Sequence, residues 1–366
     1  MASIIFPPSE RLGIRHMVQE RFLTIRDSDA WNRLLPPGKS VFGSIGYARI
    51  CAAFRKCTPR LYAAELNHAA ICYPLLLRPL SELSFAGGTD GIWDATTPEF
   101  TGPMAFGVEP VLAENFSSSR DKAFRKEGII AEFAHLQPWK EAATRLFGVN
   151  ECNREIVWVD SKTSPGELWR THLAYSCQKN IRTAQRNGVK VFEGTTDEHI
   201  REFYRIYLST MLRNNASPSY LYSLEYFQAF REEMPNHCRF AIAEYGGRIV
   251  AGTLYLHDDS DVYSYLGGAD ADFQHVRPTN MIVWETILWA HSAGKESLVL
   301  GGGYKANDGI FRFKSTFSRL RKSFHVYKKI HQERDYSLLE QRCREYYALN
   351  GKTIQYFPSY RYAPYA

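Results

Sequence analysis

The chain reads as an α+β protein made of two similarly folded domains, each a mixed, mostly antiparallel sheet flanked by helices. Three observations predict this. The length of 366 residues suits two domains with cores of their own. Arg60 to Leu77 aligns without gaps on Arg239 to Leu256, with Arg60/Arg239, Ala64/Ala243, Glu65/Glu244, Leu75/Leu254 and Leu77/Leu256 coinciding. At the same offset, Ser44-Ile-Gly-Tyr47 meets Ser223-Leu-Glu-Tyr226. A shared offset in two segments points to an internal repeat. The third observation is the element order of the second copy: strand, helices, antiparallel strands, helix, strand.

The elements of that copy follow from local signals. Glu155 to Asp160 reads as a strand. Ser164-Pro165 opens a helix, with proline at the first helical position. Gln178 to Asn187 is helical and stops at Gly188; Val189 to Phe192 is a strand. Thr196 to Leu212 is a long helix whose Asp197 and Glu198 suit its N-terminus. Leu221 to Met234 is another. The repeated segments read as hairpins, turning at Asn67-His68 and Gly246-Gly247. Strand Asp261 to Gly267, helix Asn280 to Ala293 and strand Ser297 to Leu300 complete the copy. The first copy spans roughly Met17 to Asn150 and carries a long Gly/Pro/aromatic loop, Ala86 to Pro103, of a kind that is more often functional than neutral. The expected division is therefore 1–150, 151–331 and a C-terminal aromatic tail, 332–366, that docks on the body.

A hydrophobic fraction of 45% and a charged fraction of 23% are those of a globular protein, and no apolar run approaches the length of a membrane span. The N-terminus lacks the basic and apolar regions of a secretory signal, so a cytoplasmic location is expected. Seven scattered cysteines, none in a Cys-x-x-Cys pair, argue against a disulfide framework. The net charge of +6 is mild, but its distribution is not even. Arg170 to Lys190 and Ile310 to Gln332 contain no acid and carry twelve lysines and arginines between them. Two such blocks point to an anionic partner.

The densest chemical signal is Gly301-Gly302-Gly303, followed by Phe313-Lys314. Glycine lets backbone approach a ligand closely, and a lysine beyond it can present one ammonium to a reacting carbonyl. Lys179, Arg182 and Arg186 fall on one helical face, and Arg319, Arg321 and Lys322 form a second basic group; either could track phosphates or be solvated. Tyr263 and Tyr265 share one side of a strand, lining a cleft or filling the core. His275, His291, His325 and His331 lack metal-ligand spacing, so no metal is expected. Neither a Gly-x-Ser-x-Gly elbow nor a Walker loop is present, which leaves serine hydrolases and NTPases unsupported.

The order and hairpins resemble the GNAT acyltransferase fold, although the segment Gln274 to Met281, where that fold normally has a glycine-rich phosphate loop, has Arg277-Pro278 and no glycine. More specifically, the chain resembles the FemXAB family, which moves amino acids from aminoacyl-tRNA to peptidoglycan precursors. The resemblance rests on Asn180 to Val189, Tyr207 to Arg213, Tyr226-Phe227, Tyr263 to Gly268, Trp284 to Ala290, Leu300 to Gly302 and Phe313-Lys314-x-x-Phe317. It is looser in the first half, through Val41 to Ser44, Tyr47 and the Asp94 to Gly102 loop. It implies two tandem GNAT-like domains, the first for acceptor recognition and the second for donor binding and catalysis.

The resemblance further implies Phe313 and Lys314 as the catalytic edge. It makes Arg213, which is equally placed as a cation favoured by the helix C-terminus, a contact of the acceptor's phosphates. Beside it, Tyr263, Tyr265, Gly301 and Gly302 are the expected substrate contacts, and the basic residues Lys179, Arg182, Arg186, Arg319, Arg321 and Lys322 the expected tRNA contacts, the tRNA itself being what the resemblance implies. No cofactor is expected. The implied partners are an aminoacyl-tRNA and a peptidoglycan precursor or small amine acceptor, with peripheral membrane contact if the acceptor is lipid-linked. Two departures fall in the first half: Arg49 and Ile50 stand where relatives carry a lysine, and Gln137 where they carry an acid. These bear on the acceptor. An N-acyltransferase using acyl-CoA or acyl carrier protein, and a non-enzymatic RNA- or envelope-binding protein, are the alternatives.

Overall fold

The computed structural model describes residues 18–107, 110–139, 151–305, 307–349 and 351–364. The N-terminal segment and the expected boundary at residue 150 lie outside them. Thirteen strands form one continuous sheet, in the order β1-β2-β3-β4-β6-β13-β7-β12-β11-β10-β9-β8, with β5 (Met104–Phe106) on β3. The first half contributes β1 (Gln19–Leu23), the hairpin β2 (Thr58–Leu66) and β3 (Ala69–Pro79), β4 (Trp93–Thr96) and β6 (Ile129–His135). The second contributes β7 (Glu151–Asp160), β8 (Lys190–Glu193), the hairpin β9 (Cys238–Tyr245) and β10 (Arg248–His257), β11 (Asp261–Ala269) and β12 (Ser297–Gly301). β13 (Arg321–Ile330) joins them, pairing with β6 on one side and β7 on the other.

The repeat is real in three dimensions. Both aligned segments are hairpins, turning at Asn67-His68 and Gly246-Gly247; Asn67 and both glycines take positive φ, as such tight turns require. Ser44 and Ser223 each stand at the N-cap of a helix, α1 (Ser28–Leu34) preceding α2 (Ile45–Phe54) in the first half and Leu224–Glu233 opening after Ser223 in the second. Only Ser44 closes the cap with its side chain, accepting from the Tyr47 N–H at 3.2 Å.

These two equivalent helices pack on each other at the centre of the molecule. Gly46 allows it: a Cβ there would stand 2.5 Å from the Glu233 carbonyl oxygen. Gly46→Ala gains about 1 kcal/mol of helix propensity but forces the helices apart at about 1–3 kcal/mol. The expected net result is a lower chemical-denaturation midpoint.

The remaining helices are α3 (Pro110–Lys126), α4 (Pro165–Thr171), α5 (Tyr175–Arg186), α6 (Asp197–Arg213), then α7 (Leu224–Glu233), α8 (Pro278–Ser292), α9 (Gly309–Ser315) and α10 (Glu333–Tyr346). In the second half α4, α5 and α8 cover one face of the sheet over Val157, Leu298 and Leu300, while α6 and α7 cover the other over Leu254, Tyr263 and Val299. Phe313-Lys314 lies on the short helix α9. Asp308 nucleates that helix: its carboxylate accepts from the backbone N–H of Tyr304 at 2.6 Å, Lys305 at 2.9 Å and Phe311 at 2.8 Å.

The C-terminal tail docks on the first half. Tyr336, Leu339 and Tyr360 pack with Leu80, Ile130 and Ala131. Arg361 Nε and Arg78 Nε both reach the buried Asp94 carboxylate, at 2.7 and 2.5 Å. Dividing the chain at residues 150 and 331 is a proposal that β13 qualifies, since that strand belongs to both halves. Among the described residues no helix is long and apolar enough to cross a membrane.

Candidate active site

The glycine turn and the lysine meet as the sequence suggests. β12 ends at Gly301, whose φ of 82° only glycine adopts without strain. Gly302 follows against the Arg154 side chain and the Glu155 carbonyl, each 3.1 Å from where its Cβ would lie. From α9 the half-buried Lys314 reaches back, and its Nζ donates to the Gly302 carbonyl at 2.8 Å. A Cβ on Gly301 would stand 3.3 Å from that Nζ, so a larger residue would crowd the amine. Burial pulls the Lys314 pKa down to about 8, against the opposing pull of the Asp308 carboxylate. Phe313 anchors the helix by packing its ring 5.3 Å from that of Phe317.

This lysine sits where the sheet opens. β11 and β12 run parallel, but their ladder ends at Tyr263 and Val299. Beyond that point β11 follows β10 as far as Ala269, while Gly301 follows β7. The strands diverge from there on. Gly268 keeps β11 on its course by letting α6 cross closely; a Cβ there would meet the Ile206 carbonyl at 2.9 Å. The equivalent strands of the first half, β4 and β6, stay closed. The Thr97 N–H donates to Phe133 O, His135 N–H to Thr97 Oγ1 at 2.7 Å, and a further parallel bridge joins Thr101 to Leu136.

On the other face, at the junction of the two halves, polar groups converge on Arg55. Its Nη1 donates to Glu99 Oε1 at 3.0 Å, and its Nη2 reaches the hydroxyls of Tyr222, Tyr226 and Tyr265. Tyr47 donates to the other Glu99 oxygen at 2.5 Å. Tyr226 and Tyr265 are linked at 2.7 Å, and Tyr222 stacks on Tyr226 with centroids 3.9 Å apart. Burial would raise the Glu99 carboxyl, but the Arg55 guanidinium and the Tyr47 hydroxyl prevail and hold it below its ordinary value. Its side chain as a whole is 37% exposed.

Comparison with solved structures decides the fold. The crystal structure of FemX superposes with a TM-score of 0.66, covering 87% of this chain and 99% of that one at 12% identity. The fold is FemXAB-like. It consists of two tandem GNAT-like domains, and a family model described as an acetyltransferase (GNAT) domain matches residues 173–335. A Bacteroides thetaiotaomicron protein of unknown function is also similar (TM-score 0.57, 10% identity, 86% of this chain and 100% of that one). So is the C-terminal domain of a putative lysylphosphatidylglycerol synthetase from Agrobacterium fabrum (TM-score 0.53, 13% identity, 87% and 96%). No curated protein matches by sequence.

In this FemXAB-like frame the other expected residues are scattered in role. Tyr265 joins the Arg55 cluster, whereas Tyr263 is 2% exposed, 5.0 Å from the Phe42 ring, and accepts from Gln137 Nε2 at 3.4 Å. Arg213 is exposed at the end of α6, donating to the Ala269 carbonyl at 3.1 Å. Lys179, Arg182 and Arg186 are exposed on α5. Arg319 and Lys322 are exposed too, and among the described residues neither makes an ion pair. Arg321 is engaged internally, donating to the Ser318 and Leu320 carbonyls with its guanidinium 5.4 Å over Phe311. Lys328 and Lys329, in the same block, are paired with Glu151 and Asp121.

The two basic blocks nevertheless adjoin: the Ala174 N–H at the head of α5 donates to Thr316 O at 2.8 Å. Arg49 is held by Glu233 at 3.3 Å on the surface. Arg55, Glu99 and Tyr222 escaped sequence reasoning. The aligned Tyr47 and Tyr226 were the available signal, because the repeat brings these two equivalent tyrosines to one guanidinium. No group of three His, Cys, Asp or Glu among the described residues could hold a metal.

Proposed function

We propose that the protein is an acyltransferase that moves an aminoacyl group from an aminoacyl-tRNA to the amine of a peptidoglycan precursor or related small acceptor. The observation that carries this reading is the Lys314 amine seated on the Gly301-Gly302 turn, where β11 and β12 part. The FemX likeness supports the donor class, and the adjoining basic surface suits RNA.

The acceptor nitrogen attacks the ester carbonyl carbon, forming the C–N bond and a tetrahedral oxyanion. Lys314, as ammonium, donates to that oxygen. The ester C–O bond then breaks, and the ribose hydroxyl leaves with the proton released by the amine. The splayed strands hold the aminoacyl arm by backbone hydrogen bonds, and positioning supplies most of the advantage. Glu99 is a weak base because Arg55 lowers its pKa. It serves better as an anion that holds the incoming ammonium among the tyrosines until that group loses one proton to solvent and attacks as the neutral amine. Glu99→Gln is expected to raise the KM for the acceptor about 10-fold and leave that for the donor unchanged. Steady-state kinetics with each substrate varied in turn will measure this.

A second reading, N-acyl transfer from a pantetheine thioester, is favoured by the match to a GNAT acetyltransferase domain. Against it, α8 opens with Pro278 after a left-handed Arg277 (φ 60°), so the helix start lacks a phosphate-facing N–H. The two are separated by incubating the protein with a pool of charged, radiolabelled tRNA and a cell extract. RNase-sensitive, Lys314-dependent label transfer supports the first reading. Turnover of acyl-CoA with no transfer from any charged tRNA overturns it.

A further inference from the structure

Helix α5 turns an unusual face to solvent. Cys177, Ile181 and Ala184 bury its other side. Tyr175, Lys179, Arg182 and Arg186 follow at helical spacing as one stripe and, with Gln185, line a surface groove of about 490 Å³. Tyr175 is 76% exposed, a large aromatic ring whose area folding leaves in water. Among the described residues no carboxylate lines this groove. Arg182 lies 5.3 Å over the Trp169 ring, which holds its guanidinium in place.

The stripe also has a direction. Tyr175 stands at its head, next to the Ala174–Thr316 hydrogen bond, and Thr316 follows Lys314 by two positions. From Tyr175 the cations lead away for eleven residues, about 16 Å of helix and so about five nucleotides of one strand. Exposed aromatic first, phosphate-spaced cations after, is the chemistry of a single-stranded end continued by a stem.

We infer that α5 binds RNA with fixed polarity. An unpaired base beside the reactive 3′ end stacks on Tyr175, and the phosphates of the adjoining stem run along Lys179, Arg182 and Arg186. This rests on the aminoacyl-tRNA reading and adds to it the base platform and the direction of the strand.

The test uses the full chain and two RNA hairpins, one with an unpaired 3′ extension and one blunt, with binding followed by fluorescence anisotropy across a salt series. Tyr175→Ala is expected to weaken binding of the extended hairpin about 5- to 150-fold, with little change for the blunt one or in the salt slope. Tyr175→Phe retains binding. Replacing Lys179, Arg182 and Arg186 together by alanine is expected to reduce the slope by about 2 to 3 on both RNAs. If wild type binds the extended hairpin and Tyr175→Ala changes nothing, or weakens both RNAs equally, the inference fails alone. If wild type binds neither RNA, or binds anionic phosphatidylglycerol vesicles instead, the aminoacyl-tRNA reading falls with it.

Discussion

Replacing Lys314 by methionine is expected to lower kcat/KM for acyl transfer about 100- to 1,000-fold, roughly 2.7–4 kcal/mol of transition-state stabilisation. The pH profile makes the role specific. With its pKa brought down to about 8, Lys314 is an ammonium below that value and a neutral amine above it. A step that needs the ammonium therefore slows as pH rises through about 8. Lys314→Arg keeps the charge at every accessible pH and should abolish that falling limb even where its absolute rate is low. A falling limb unchanged in the arginine variant assigns the titration elsewhere.

The linkage runs the other way for stability. A lysine whose folded pKa is depressed disfavours folding below that pKa, and the penalty fades as pH climbs toward its ordinary 10.5. The methionine variant should thus melt higher than wild type at pH 7, with the gap closing in alkali. Such a gain beside a lost activity is what a strained functional residue produces.

The largest effect on stability is expected in the first half, far from that chemistry. Glu132 on β6 and Arg120 on α3 have fully buried side chains, 3.7 Å apart. Glu132 also accepts from the Tyr73 hydroxyl and lies 2.9 Å from His331 Nε2. Arg120 reaches Asp121 at 2.8 Å and the Tyr327 hydroxyl at 3.1 Å. Arg120→Met leaves a carboxylate buried without its main counter-charge, at a cost of about 3–5 kcal/mol. The double variant Arg120→Met with Glu132→Leu should recover much of that loss, since it buries no charge. Urea denaturation of the four proteins measures the cycle.

Burial raises the Glu132 carboxyl, but Arg120 and His331 outweigh it and depress its pKa below 4.5. Its stabilising share is present above that value and is lost as pH falls toward the depressed one. Acid unfolding of wild type should be steeper there than in the double variant. Catalytic constants are expected to be unaffected.

Local signals carried much of the architecture. Gly246-Gly247, Ser164-Pro165 and Gly188 marked a turn and helix ends by backbone rules that need no partner, and the observed elements begin or end within a few residues of them. The glycine turn and Lys314 were legible for the same reason, although the helix carrying the lysine was not. Asp308, an N-cap residue by type, nucleates that helix through three backbone N–H groups, a local signal that sequence reasoning missed. Arg55 and Glu99 were hidden because their meaning depends on two halves meeting. Arg55 lies in no motif; Glu99 lies in the Asp94 to Gly102 loop, which stands out only as a segment, and forty-four positions separate the two. Tyr263, by contrast, carried a pattern equally suited to cleft and core, and only packing around Phe42 distinguishes the two.

The strand β13 has a mechanical consequence. Because it pairs on both edges, the two halves are one elastic plate, and no hinge lies between them among the described strands. Lys314 and Glu99 are carried by different halves of that plate, so their separation is not adjusted by swinging one half toward the other. On the proposed reading, water is kept from the ester by loops and by the substrates themselves. Hydrogen exchange across β6, β13 and β7 should accordingly rise together with denaturant, as one cooperative block. Cutting the chain in two would leave a bare strand edge on whichever piece lost its neighbour, and with it a tendency to re-pair or aggregate.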